Sequence, residues 1–132
     1  MTKTAIILTS ESSLHLARTI ANELDNAQIY TKSTIDGCVA ITSINDCVKD
    51  VFATVQTIVF IGAMGICVRS IAPYIKDKRT DPAVINIDST GRFVISVLSG
   101  HVGGANQLTS HIAHIIGGEA VITTQSDNTN LW

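Results

Sequence analysis

The sequence has no Cys-x-x-Cys pair: its three cysteines, Cys38, Cys47 and Cys67, stand apart. Such spacing supplies neither a disulfide framework nor the ligand pairs of a structural zinc site, and it points to reduced, mostly buried thiols. An excess of basic residues is also missing. Nine lysines and arginines against eleven acids leave a net charge of −2, which argues against nucleic acid as a partner. Long apolar runs are absent too. The most apolar stretch, 58–68, stops at Arg69, well short of the ~20 residues that a membrane-spanning helix needs. The opening run, 5–8, is interrupted by Thr9, Ser10 and Glu11, so it lacks the length and cleavage site of a secretory signal. No membrane partner is expected, and the cytoplasm is the expected location.

What is present is one domain, 1–132, with 45% hydrophobic and 15% charged residues and a mean hydropathy of +0.32. That is enough to bury a real core. Short runs of β-type character at 4–8, 27–30, 57–61, 83–87, 93–98 and 120–123 predict strands, 57–61 the clearest because it is β-branched and continuous. Leu14, Ala17, Ile20, Ala21 and Leu24 share one face of a helix that Thr9 or Ser10 caps. Residues 46–52 predict a short helix, and 103–116 a longer one ended by Gly117-Gly118. In a further helix Val68, Ile71, Ala72 and Ile75 are expected inward, with Arg69 and Lys76 aligned off that face and Pro73 splitting it. Asp88-Ser89-Thr90-Gly91 reads as a hairpin turn, whereas 31–45 yields no assignment beyond a turn at Asp36-Gly37. The expected fold class is a layered α/β sandwich with a mostly parallel sheet and one hairpin.

Three stretches carry more glycine, charge and histidine than packing needs. In Gly62-Ala63-Met64-Gly65, leading to Arg69, a strand opens into a helix whose exposed amides favour anions; the alternative is a tight connection without a ligand. The second, Lys76-Asp77-Lys78-Arg79-Thr80-Asp81-Pro82, is either a solvated charged loop or a grip for a polycarboxylate. Asp81 before proline either steers a catalytic group or caps a turn. The third, Ser99-Gly100-His101-Val102-Gly103-Gly104-Ala105-Asn106, sets a histidine among glycines between a strand and a helix. It matches neither the dinucleotide fingerprint nor the P-loop. His101 can move protons near neutral pH, or it can be hydrogen-bonded into a turn. Ser99 lacks the glycines of a nucleophile elbow and ranks below water as the attacking group. His15, His111 and His114 read as surface residues rather than ligands, so no protein metal site is expected. All three stretches are expected to meet in one cleft at the carboxyl edge of the sheet.

The blocks Ile61-Gly62-Ala63-Met64-Gly65-Ile66, Arg69-Ser70-Ile71-Ala72-Pro73, Lys78-x-x-Asp81-Pro82-Ala83-Val84, Ser99-Gly100-His101-x-Gly103-Gly104-Ala105-Asn106 and Val121-Ile122-Thr123-Thr124 resemble the amino-terminal domain of the CbiG-type cobalt-precorrin-5A hydrolases. The resemblance covers residues 58–128. The chain departs from the pattern at Gln125-Ser126, where the family has a small residue and then threonine. The family also carries a carboxyl-terminal domain that these residues do not represent, and the tail 125–132 reads as cut.

The resemblance implies hydrolysis of the δ-lactone of cobalt-precorrin-5A with release of acetaldehyde, giving cobalt-precorrin-5B in anaerobic cobalamin biosynthesis. It implies no cofactor, because cobalt arrives with the tetrapyrrole, and a carboxyl-terminal domain of the same enzyme as partner. On that reading Arg69, Lys76, Lys78 and Arg79 hold substrate carboxylates. Gly65, Gly100, Gly103 and Gly104 let the macrocycle approach the backbone, and Asn106 or nearby amides face the oxyanion. His101 is the general base and Asp81 orients it. The alternative is a non-catalytic tetrapyrrole-binding or docking domain, with the chemistry elsewhere in the enzyme. A nucleotide or phosphate binder of similar fold rests on the glycine loops alone.

Overall fold

The computed structural model describes residues 3–99 and 104–124. The chain runs β1 (Thr4–Leu8), α1 (Leu14–Asn22), β2 (Ala27–Thr31), β3 (Cys38–Ala40), α2 (Ile44–Val51), β4 (Thr57–Ile61), α3 (Met64–Ile71), β5 (Ala83–Ile87), β6 (Phe93–Leu98), α4 (Ala105–Ile116) and β7 (Glu119–Val121). Short 3₁₀ turns, Glu11–Ser13 and Ala72–Tyr74, precede α1 and follow α3. The strands form one sheet in the order β3-β2-β1-β4-β5-β6-β7.

Every residue of β1, β4 and β5 is buried, as expected of central strands covered on both faces. Successive side chains point to opposite faces, so each strand feeds two cores. Ile6, Leu8, Val59, Ile61, Ile85 and Ile87 pack with Ala17 and Ile20 of α1 and Ala105 and Ile112 of α4. On the other face Ala5, Ile7, Ile58, Phe60 and Val84 meet Cys47, Val48 and Val51 of α2 and Cys67 and Ile71 of α3. The expected α/β sandwich is therefore present, as three layers.

The expected hairpin joins β5 to β6. The Gly91 amide donates to the Asp88 carbonyl at 2.9 Å, and the Asp88 carboxylate accepts from the Phe93 amide at 2.6 Å. β1 to β5 run parallel, β6 runs antiparallel to β5, and β7 runs parallel to β6. Opposite the start of β5 the register shifts: Ile85 pairs with Ser96 but Val84 with Leu98, so Val97 is the extra residue of a bulge.

Two details differ from the periodicity reading. β3 arises inside the unassigned stretch and lies at the sheet edge. α3 buries Cys67, Ser70 and Ile71, while Val68 and Ile75 are 43% and 44% exposed. The Ser70 hydroxyl donates to the Cys67 carbonyl at 2.8 Å, which satisfies it and allows a polar residue on the inward face. The helix ends at Ile71, and the 3₁₀ turn holding Pro73 comes next. The split at proline is as expected, but it breaks the helical alignment of Arg69 with Lys76.

Candidate functional site

The direction of β6 separates the three chemistry-bearing stretches. The Gly62–Gly65 turn leaves the carboxyl end of β4, beside the carboxyl ends of β1 and β5. Because β6 is antiparallel, its last residue lies beside the first residues of β5, at the amino edge of the parallel strands. The 76–82 loop enters β5 at that same edge. Asp81 and Ser99 are thus brought together, whereas Gly65 lies at the opposite edge. The expectation of a single cleft at the carboxyl edge is corrected by this reversal.

At the amino edge the 76–81 loop is folded around two carboxylates. Both oxygens of Asp81 accept from the Lys76 amide, at 2.9 and 3.2 Å, and Asp77 accepts from the Arg79 amide at 2.8 Å. The Asp81 amide donates to the Asp77 carbonyl at 2.8 Å. Asp81, only 8% exposed, therefore caps this turn, the plainer of the two roles open to it. The Ser99 hydroxyl donates to the Asp81 carbonyl at 3.5 Å, which ties the loop to the end of β6. Ser99 adopts φ +58°, a left-handed conformation uncommon outside glycine and frequent at functional sites.

Ser99 also anchors the entry to α4. Its carbonyl accepts from the Ala105 amide at 3.3 Å, which joins the end of β6 to the start of α4. Gly104, at φ +84°, occupies the position before α4, where a side chain would be strained. Gly100, His101 and Gly103 fall between these two anchors in sequence and lie outside the described residues. One helical position on, Asn106 is buried and its side-chain amide donates to the Thr124 hydroxyl at 2.9 Å. That engages a residue expected to face an oxyanion.

Two hollows adjoin Asp81. One, of about 300 Å³, is lined by Lys49, Phe52, Ala53, Tyr74, Lys76, Thr80 and Asp81. The other, of about 380 Å³, is lined by Val55, Gln56, Thr57, Arg79, Thr80, Asp81 and Pro82. Arg69 and Lys78 are exposed and line neither. Within the first block, burial pushes the Cys67 thiol up to about 12. Burial, and then the neighbouring Asp50, pushes Cys47 up to about 11. Neither supplies a thiolate nucleophile near neutral pH. Among the described residues no three of His, Cys, Asp and Glu gather as a metal site, and no helix is long and apolar enough to cross a membrane. His15, His111 and His114 are exposed.

Residues 46–127 match the family described as Cobalamin synthesis G N-terminal. The chain belongs to that family. It is 52% identical over 79 residues to the cobalt-precorrin-5A hydrolase of Salmonella typhimurium, a match covering 60% of the chain and 22% of the relative. To the cobalt-precorrin-5A hydrolase of Priestia megaterium it is 48% identical over 85 residues, covering 64% of the chain and 23% of the relative. The matches thus take in less than a quarter of each curated relative's length. A crystal structure described as a cobalamin biosynthesis protein G homolog from Sulfolobus solfataricus superposes with a TM-score of 0.73 at 25% identity, over 97% of this chain and 39% of that one.

Two residues escaped sequence reasoning, one that positions a turn and one that lines a hollow. Asn86, 2% exposed within the apolar run of β5, donates to the carbonyls of Phe60 at 3.2 Å and Gly62 at 3.0 Å. It thereby holds the turn that opens α3. A lone asparagine among β-branched residues was the available signal. Lys49 reaches the first hollow from α2, and nothing in its helical neighbourhood marks it.

Proposed function

We propose that the domain forms part of a cobalt-precorrin-5A hydrolase. In this reading the enzyme hydrolyses the δ-lactone of cobalt-precorrin-5A, releases acetaldehyde and gives cobalt-precorrin-5B. The observation that carries the reading is the joint between Asp81 and Ser99, which gathers two of the family's sequence blocks at one edge beside ligand-sized hollows. The names of the Salmonella and Priestia relatives support the same activity.

Substrate binding falls to cations. The ligand is a broad macrocycle fringed with carboxylates, and Arg79, Lys78 and Arg69 offer charge-assisted hydrogen bonds to them. Gly100, Gly103 and Gly104 leave room for its face. His101 is the general base, activating water for attack on the lactone carbonyl or taking a proton as the carbon–carbon bond breaks. Asp81 orients it through the loop it caps, and amides near Asn106 face the developing oxyanion. Cobalt belongs to the substrate, so the domain needs no cofactor of its own. A carboxyl-terminal domain of the same enzyme is the expected partner.

The test is acetaldehyde release from cobalt-precorrin-5A by this chain and by its His101→Asn variant. Release by the chain, lowered about 100- to 10,000-fold in the variant, supports the reading. Unchanged release moves the base elsewhere. The limited coverage of the relatives favours a second reading, in which the domain binds the tetrapyrrole and the chemistry lies in the remaining length. Tight binding of substrate without acetaldehyde would select it.

A further inference from the structure

The first hollow has a composition of its own. Its floor is aromatic: Phe52, 6% exposed, lies with its ring centroid 6.0 Å from that of Tyr74, the planes tilted by 42°. Its lining includes two lysines from different parts of the chain, Lys49 on α2 and Lys76 after the 3₁₀ turn, both exposed. Neither ammonium forms an ion pair with any described carboxylate. The nearby acid, Asp81, spends both oxygens on the Lys76 backbone amide and so is directed at the main chain. Aromatic rings beside cations that no described carboxylate pairs suit a flat apolar body that carries carboxylates.

We propose that the hollow between α2 and the 74–81 segment binds a carboxylate-bearing edge of the macrocycle, with Lys49 as the charge partner of that carboxylate and Phe52 and Tyr74 as the surface beneath it. The inference rests on the function proposed above and adds to it a binding residue from α2. Asp81 lines the hollow, and its carbonyl accepts from the Ser99 hydroxyl. A ligand edge seated there lies next to the anchored end of β6. Lys49 has a second effect, since a cation in the last turn of α2 also favours the helix dipole. The experiment therefore has to separate charge recognition from helix stability.

Two water-soluble corrinoids of the same ring serve as probes: cobyrinic acid, with free carboxylates, and cobinamide, with amides in their place. Affinities are read from visible absorbance for the unaltered chain and for Lys49→Met, which keeps the stem and removes the charge, and Lys49→Arg, which keeps the charge. The expected result is about tenfold weaker binding of cobyrinic acid by Lys49→Met, the size of one hydrogen bond to a charged group. Lys49→Arg should recover most of it, and cobinamide should bind weakly and alike to all three. Unchanged affinity of Lys49→Met for cobyrinic acid overturns the assignment while leaving the proposed function to the other cations. Equal weakening for both corrinoids overturns it as well, because the effect is then one of shape. If the unaltered chain binds neither corrinoid, the proposed function falls together with this inference.

Discussion

The side-chain amide of Asn106, at the start of α4, donates to the hydroxyl of Thr124, beyond β7, at 2.9 Å. The bond clips the amino end of a helix to the segment after the last strand. Both residues belong to the blocks that carry the family resemblance, so their pairing has a structural reason independent of any ligand. Asn106→Ala and Thr124→Val should each lower stability by about 1 kcal/mol. The double variant should cost less than the sum, because the two share one interaction. Strict additivity in urea unfolding would show that the bond contributes nothing.

Asp81 can be divided into its two parts. Asp81→Ala leaves the Lys76 amide without its acceptor and should destabilise by about 1–3 kcal/mol. Asp81→Asn retains a carbonyl oxygen for that amide and should unfold close to wild type. If the negative charge also acts on His101, Asp81→Asn loses activity while keeping its melting temperature. An Asn variant as unstable as the Ala variant would instead place the charge itself in the turn.

Gly62 marks a tight approach between the ends of β1 and β4. A Cβ there would collide with the Thr9 hydroxyl and lie 2.7 Å from the Thr9 methyl. Thr9 is short and β-branched, and its hydroxyl donates to the Ile61 carbonyl at 3.2 Å, so it cannot swing aside without losing a bond. Gly62→Ala should cost about 1–3 kcal/mol. Removing the obstacle with Thr9→Ala in the same chain should recover part of that loss. A thermal midpoint for Gly62→Ala equal to wild type would contradict the packing described.

Asp88 gives the hairpin a dependence on acid. Burial works to raise its carboxyl, but hydrogen bonds from the Thr90 hydroxyl and from the Phe93, Thr90 and Arg92 amides outweigh it and hold the group below its ordinary value. A carboxyl held low in the folded chain contributes stability above its unfolded pKa of ~3.9, and that contribution is lost as pH falls through the folded value. Asp88→Asn should therefore be less stable than wild type at neutral pH, and the gap should narrow below about pH 4. Urea midpoints across that range decide the matter. A gap of constant size would assign the effect to shape rather than charge.

Legibility in the sequence tracked the strength of local pattern. β1, β4 and β5 stand out as short, mostly apolar runs rich in β-branched residues, and the Asp88–Gly91 turn names its own hairpin. β3 does not, because three residues, Cys38, Val39 and Ala40, mostly exposed at an edge, carry no burial signal. The inward face of α3 is hidden from periodicity because Val68 and Ile75 are more apolar than Ser70. Burial there depends on the hydrogen bond that satisfies Ser70, which an apolar pattern does not register. The site's location is obscured for a topological reason: Asp81, Ser99 and Asn106 are each visible as candidates, but the direction of β6 decides which edge they occupy. Lys49 has no local signal, since its relation to Tyr74 and Lys76 exists only after packing.

The β5–β6 hairpin also bears on how the chain reaches its native state. Ser99 contacts Asp81 across only 18 positions of sequence, and the intervening chain is little more than two paired strands and a tight turn. Closing so short a segment costs little chain entropy, and contacts of low sequence separation form early. The 76–99 region can therefore acquire its joint before β1, β2 and β3 find their places. Loss of the distant edge of the sheet should then slow completion of the core more than assembly of this corner.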